Sequence, residues 1–208
     1  NVRASVPLFS AIQYLTSNNE QIFFSKLSTS SPRIYWPVLK MLFKDLKISA
    51  SSWGVKHRNF LLNNYKKHEY FNQIYPKIEF LFYKDYTYLI DLVMDSMSVS
   101  MAMFGIPTQV ILQSGIGYNG EANKEGLVLQ LLKEKNAKHY LSGRGAEAYQ
   151  DDSIFEREGI VLEYADFLHP VYPQKNSQRF ISGLSCLDLL FNIGADDASL
   201  LLKRKLVQ

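Results

Sequence analysis

Apolar residues recur every three or four positions between Val55 and Phe104, and this period predicts a helical segment over residues 55–104. Within it Phe71, Ile74, Tyr75, Ile78, Leu81 and Phe82 share one helix face. Pro76 suits a first helical turn, so two helices are expected to meet near Tyr75. The next run, about Tyr86 to Phe104, is apolar on most sides. Leu89, Leu92 and Val93 form one stripe; Ile90, Met94, Met97 and Met101 form another. A helix apolar all round is a buried one, and its methionines read as core filler rather than a cofactor box. Gly105-Ile106-Pro107 ends it.

Downstream the period alternates. Thr108–Gln113 predicts a short strand and Ala122–Lys135 an amphipathic helix on Leu127, Val128, Leu131 and Leu132. Lys138–Leu141 predicts a second strand, Asp152–Glu158 a short helix and Ile160–Tyr164 a third strand. Strand, helix, strand in that order implies a right-handed crossover and parallel pairing. Ser185–Asn192 predicts a helix stopped at Gly194, and Asp196–Lys205 a last helix with acids first and bases last, as the helix dipole favours. Upstream, β-like runs stand at Arg3–Phe9, Ile12–Thr16 and Gln21–Phe24, and Asp45–Ser52 is a polar connector. The fold class is α/β: a short, mainly parallel sheet with flanking helices, in one domain over 1–208 with a helical subregion at 55–104.

Composition narrows the chemistry. With 47% apolar and 13% aromatic residues, the 208-residue chain can bury a core without disulfides or metals. Its one cysteine, Cys186, excludes a disulfide framework and a thiolate zinc site. His57, His68, His139 and His169 lack metal-ligand spacing, so neither metal nor other cofactor is expected. The net charge of +3 comes from scattered bases, which argues against DNA as a partner. The longest apolar stretch, Leu89 to Phe104, is broken by Asp91 and Asp95, so no membrane span is expected; with no signal peptide visible, the expected localisation is cytoplasmic. The chain opens at Asn1 without an initiator methionine and reads as a fragment.

Gly115-Ile116-Gly117-Tyr118-Asn119-Gly120 matches G-x-G-x-x-G, but the next strand ends at Leu141-Ser142-Gly143 with no acid for a ribose. It reads as a flexible loop. The stretch Tyr140 to Tyr149 is more informative. Gly143 and Gly145 let backbone approach a ligand or point amides at an anion, Ser142 offers a hydroxyl and Arg144 a fork of donors. Ser114 and Ser142-Gly143 both occupy expected carboxyl ends of strands, where ligands of open α/β sheets sit; if those strands are neighbours, the two line one crevice. An ordinary tight turn explains the same residues. The segment Asp166 to Gln174 is stiffened by Pro170 and Pro173. His169 on it is a candidate general base, although a single histidine is more often a hydrogen-bonded structural residue. Ser185 with Asp188 has capping-box spacing, and Cys186 reads as a small buried hydrophobe.

Three of these segments in series resemble the WbqC-like family: Tyr140-Leu141-Ser142-Gly143 with Tyr149, then His169-Pro170-Val171-Tyr172-Pro173-Gln174, then Leu184-Ser185-Cys186-Leu187-Asp188-Leu189-Leu190-Phe191-Asn192 with Gly194. Order and spacing agree across about Gln109 to Leu201. A looser likeness extends to Asn1-Val2-Arg3, Tyr14-Leu15-Thr16 and Trp53 through Tyr65. The family's opening His/Gln-x-Pro-x-Tyr-x-Pro segment has no counterpart here, and Cys186 stands where an aliphatic residue is usual.

The resemblance implies a bacterial surface-polysaccharide or O-antigen role: transfer of an acyl or aminoacyl group, glycine foremost, to a nucleotide-linked amino sugar. The partners would be that sugar and an activated acyl donor, a carrier protein among the options. His169 would be the catalytic base; Ser114, Ser142, Gly143, Arg144, Gly145, Tyr149, Tyr172 and Gln174 would bind substrate. This requires the serine–glycine turn and the histidine loop to face a shared cleft. The alternatives are a nucleotide-sugar-binding module without catalysis, and an interaction subunit docking through Phe60 to Phe82.

Overall fold

A computed structural model of the chain describes residues 45–48, 52–117, 124–148, 150–165, 169–175 and 177–205. The early β-like runs and Tyr149 lie outside them. Helices and one short parallel sheet make an α/β fold. Two compact units divide the described residues: those up to Pro107 together with those from His169, and those from Thr108 to Ala165.

The first unit is helical. Its helices are α1 (Trp53–Tyr65), α2 (Phe71–Ile78), α3 (Leu89–Phe104) and, after the second unit, one that spans Cys186–Lys205. The face read from the sequence is the buried one: Phe71, Ile74, Tyr75, Ile78 and Leu81 enter one core with Leu187, Leu189, Leu190 and Phe191. Aromatic rings carry its centre. Phe191 lies 4.9 Å from Tyr65 and 5.4 Å from Phe71, and Phe71 stacks on Tyr75 at 4.8 Å. That packing spends the aromatic helical region on the core, although Phe60 and Phe80 remain exposed. Met97, Met101 and Met103 of α3 are buried, as its all-round apolar pattern requires.

One boundary differs from expectation. Pro76 stands inside α2, and the axis changes later, where a 3-10 turn over Glu79–Phe82 follows Ile78. Pro76 and Asn72 are both exposed, so the Asn72 carbonyl that loses its helical donor can be hydrated. The expected stop of α3 is in place: Gly105 takes φ 63°, its amide reaches Ala102 O, and the Ile106 amide reaches Met101 O.

The second unit holds α4 (Lys124–Glu134), β1 (His139–Gly143), α5 (Ser153–Arg157) and β2 (Val161–Ala165). β1 and β2 pair in parallel with His139 opposite Val161 and Ser142 opposite Tyr164. Leu132, Phe155 and Ile160 form the buried core beneath them. The strand expected at Thr108–Gln113 is absent. Val110 is an isolated bridge residue and Gln113–Gly115 is a 3-10 turn, and among the described residues no ladder forms there.

The helix Cys186–Lys205, α6 hereafter, joins the two last predicted helices across a break at Gly194, whose φ of 80° and ψ of 171° are not helical. Phe191 O, on the turn before the break, accepts the Tyr70 amide at 3.4 Å. A Cβ on Gly194 would lie 2.7 Å from the Tyr70 ring. Gly194→Ala is therefore expected to destabilise the chain by roughly 2–5 kcal/mol, from strain and clash together. Urea unfolding with an unchanged m-value would measure it, and a variant within about 0.5 kcal/mol of the parent would refute the account.

Candidate functional site

The helical unit contains one buried carboxylate with several polar partners, Asp188, on the first turn of α6. The phenol of Tyr65, at the end of α1, donates to Asp188 Oδ1 at 3.1 Å, and that of Tyr172 donates to Oδ2 at 2.9 Å. Gln174 Nε2 reaches Oδ2 at 3.3 Å and also donates to Ile181 O at 2.9 Å. A carboxylate only accepts, so three converging donors suit it. Burial, with the Asp188 charge behind it, pushes the Tyr65 phenol well above its ordinary 10. Burial also raises Tyr172, where Gln174 opposes the shift and Asp188 reinforces it.

Capping-box spacing is thus only half realised. Ser185 Oγ accepts the Leu187 amide at 3.2 Å, an ordinary N-cap, while Asp188 turns away from the helix end toward the two tyrosines. One turn on, Asn192 Nδ2 donates to Asp188 O at 2.7 Å and its Oδ1 accepts the Lys175 amide at 2.9 Å. Asp188 and Asn192 stand four apart on one helix face, and both are spent on the segment 169–181.

That segment carries His169, Tyr172 and Gln174, which the structure brings together with Asp188. Tyr172 is buried on the carboxylate. Gln174 bonds Ile181 with both ends of its amide, accepting the Ile181 amide on Oε1 at 2.8 Å. These polar atoms hold the loop rather than face outward as sugar ligands would. His169 is half-buried; its Nδ1 lies 3.0 Å from Pro170 O, and its ring is 5.6 Å from Phe180. A carbonyl cannot donate, so the Nδ1–Pro170 O contact places a ring proton on Nδ1. Phe180 meets Tyr172 edge-on at 5.3 Å, so one ring backs both side chains.

His68, between α1 and α2, was not singled out by spacing. It is buried at 6% exposure, its ring lies 4.9 Å from that of Tyr65 in a tilted pair, and its Nδ1 has no hydrogen-bond partner. The ammonium of Lys175 reaches the carbonyl of neighbouring Lys67. Desolvation, then the Lys175 charge, lower the His68 pKa against an opposing pull from Asp188. No local motif announces Tyr65, His68 or Asp188 as a group, since Tyr65 and Asp188 are 123 residues apart.

The remaining candidates lie in the sheet unit. Ser142 is buried near the carboxyl end of β1, and Gly143 closes that strand. Arg144 and Gly145 form a 3-10 turn with Ala146. Neither glycine has positive φ, and a Cβ on either would meet nothing within 4 Å, so their value is an uncovered backbone rather than an unusual conformation. Arg144 is exposed, 3.9 Å from Glu147. Ser114 is exposed in the 3-10 turn Gln113–Gly115 and ends no strand, which removes the expected crevice between neighbouring strand ends. At the same sheet edge as Ser142, the Tyr164 phenol donates to Asp152 at 2.5 Å and accepts from Gln150 at 3.1 Å. Burial and Asp152 push it up to about 12. Cys186 is half-buried, and burial pushes its thiol up to about 12, which fits a packing role. Among the described residues no group of His, Cys, Asp and Glu is arranged to hold a metal, and no helix is long and apolar enough to cross a membrane.

Comparison with known proteins bears on residues 27–200, which match the model of the WbqC-like protein family. Over 154 residues the chain is 25% identical to the uncharacterized protein Rv1507c of Mycobacterium tuberculosis. The alignment covers 74% of this chain and 66% of that protein, just short of two thirds of its length. No solved structure matches the chain.

A depressed histidine pKa makes the unfolded chain the better proton binder. The His68 contribution is complete above the ordinary imidazole value of 6.5 and is lost as pH falls from there through the folded pKa. Unfolding free energy should therefore drop more steeply between about pH 7.5 and pH 5.5 for the parent than for His68→Gln, measured by urea denaturation at each pH. Equal slopes would show that His68 is not buried in its neutral form.

Proposed function

Because the chain belongs to the WbqC-like protein family, over residues 27–200, we propose that it is a transferase of bacterial surface-polysaccharide synthesis, moving an acyl or aminoacyl group, glycine foremost, onto the amine of a nucleotide-linked amino sugar. The supporting observation is the placement of His169. It rides on a segment pinned by Tyr172 and Gln174, with Nδ1 engaged at Pro170 O. An imidazole held at a fixed angle is what a proton-accepting step needs.

In that step the sugar amine attacks the carbonyl carbon of the donor. A C–N bond forms, the C–S or C–O bond to the carrier breaks, and the leaving group departs with the bonding pair. The surplus ammonium proton passes to His169 Nε2, which can return it to the leaving group. A carrier thioester, an aminoacyl-tRNA and an acyl-adenylate all satisfy this scheme. A covalent acyl-enzyme is not required, and the raised Cys186 thiol is a poor nucleophile for one.

A catalytic role for His169 predicts that His169→Gln lowers glycyl transfer by roughly 10²–10⁴-fold while thermal stability stays near that of the parent. Rates would be read by mass spectrometry of amino-sugar nucleotides incubated with each donor class. Unchanged turnover removes His169 from the mechanism. Binding of the sugar nucleotide by the parent chain without product from any donor favours the second reading, a nucleotide-sugar-binding module.

A further inference from the structure

We propose that Asp188 is the positioning residue for His169, acting through Gln174 and Phe180 rather than by touching a substrate. This rests on the transferase reading above and adds to it the group that sets the base.

A chain of contacts links the two side chains. Asp188 Oδ2 receives Tyr172 and Gln174, which fixes the segment at residues 172 and 174. Gln174 then closes the loop by bonding both backbone atoms of Ile181. That closure sets the adjacent Phe180 against the rings of Tyr172 and His169. Pro170, buried, and Pro173 limit how far residues 169–174 can adjust if one anchor is lost. His169 supplies its own last contact to Pro170 O, a bond available only while the ring keeps its present angle.

The carboxylate suits this task better than a neutral amide. Both donors to Oδ2 come from the segment, whereas Oδ1 is held from the opposite side by Tyr65 of α1. An asparagine oriented to keep Tyr65 on its oxygen would turn its NH₂ toward Tyr172 and Gln174. One oriented the other way would face its NH₂ to Tyr65 and force that hydroxyl to reverse from donor to acceptor. Only the carboxylate accepts from helix and loop at once. Asn192 reinforces the same face by bonding Asp188 O and the Lys175 amide.

The test follows the ring directly. Long-range ¹H–¹⁵N NMR of the full chain reads the His169 tautomer. The parent should show the Nδ1–H form, and folded Asp188→Asn should show averaged tautomers with kcat for transfer reduced about tenfold or more. Tyr65→Phe removes a donor from the same carboxylate without touching the loop and should keep the parental tautomer. Should Asp188→Asn fail to fold, Gln174→Met cuts the same linkage further out and should also average the tautomers. A parental tautomer in folded Asp188→Asn overturns the proposal, as does equal averaging in Tyr65→Phe, which would mark general loosening. Averaged tautomers with undiminished transfer would uphold the positional link and remove the base role of His169, so the two ideas fail separately.

Discussion

A buried carboxylate must be satisfied by donors or it opposes folding, and much of the helical unit answers that requirement at Asp188. Each hydrogen bond to a charged group contributes on the order of 1.5–3 kcal/mol, but stranding the charge without them costs more than the bonds return. Tyr65 comes from α1, Tyr172 and Gln174 from the proline-stiffened loop. One side chain therefore ties the first helix to the last and to the segment between them. The aromatic core beside it, Phe191 with Tyr65 and Phe71, keeps water out, which is what gives those bonds their value.

Much of this architecture is legible in the sequence. The three- and four-residue period over residues 71–82 names the buried face of α2 and its following turn, because burial itself imposes that period. Gly105-Ile106-Pro107 gives the end of α3 for a similarly local reason. Pro76 misleads because proline's preference for a first turn is only a preference where the orphaned carbonyl faces solvent. Thr108–Gln113 misleads because a strand is a property of a pair, and no ladder forms there among the described residues.

The site is less legible, and Asp188 shows why. Its neighbours in sequence, Ser185 and the helix that follows, suggest a cap, and half of that cap exists. Its partners in space come from 14, 16 and 123 residues away, beyond any local pattern. His68 is hidden in the same way, since a histidine between two helices looks solvated until Tyr65 covers it. The order of loop and helix motifs does carry a signal collectively, since Tyr172, Gln174, Asp188 and Asn192 fall in the segments whose series pointed to the family matched over residues 27–200.

The break at Gly194 has a mechanical consequence. Fraying of a helix travels from its free end through successive hydrogen bonds, each turn loosening the next. In α6 that relay meets the non-helical backbone of Gly194, and each half is fastened separately, Phe191 O by the Tyr70 amide and Ser199 to Phe104 O at 2.7 Å. The two turns bearing Asp188 and Asn192 are thereby insulated from thermal unwinding of the tail, much as a firebreak halts what it cannot extinguish.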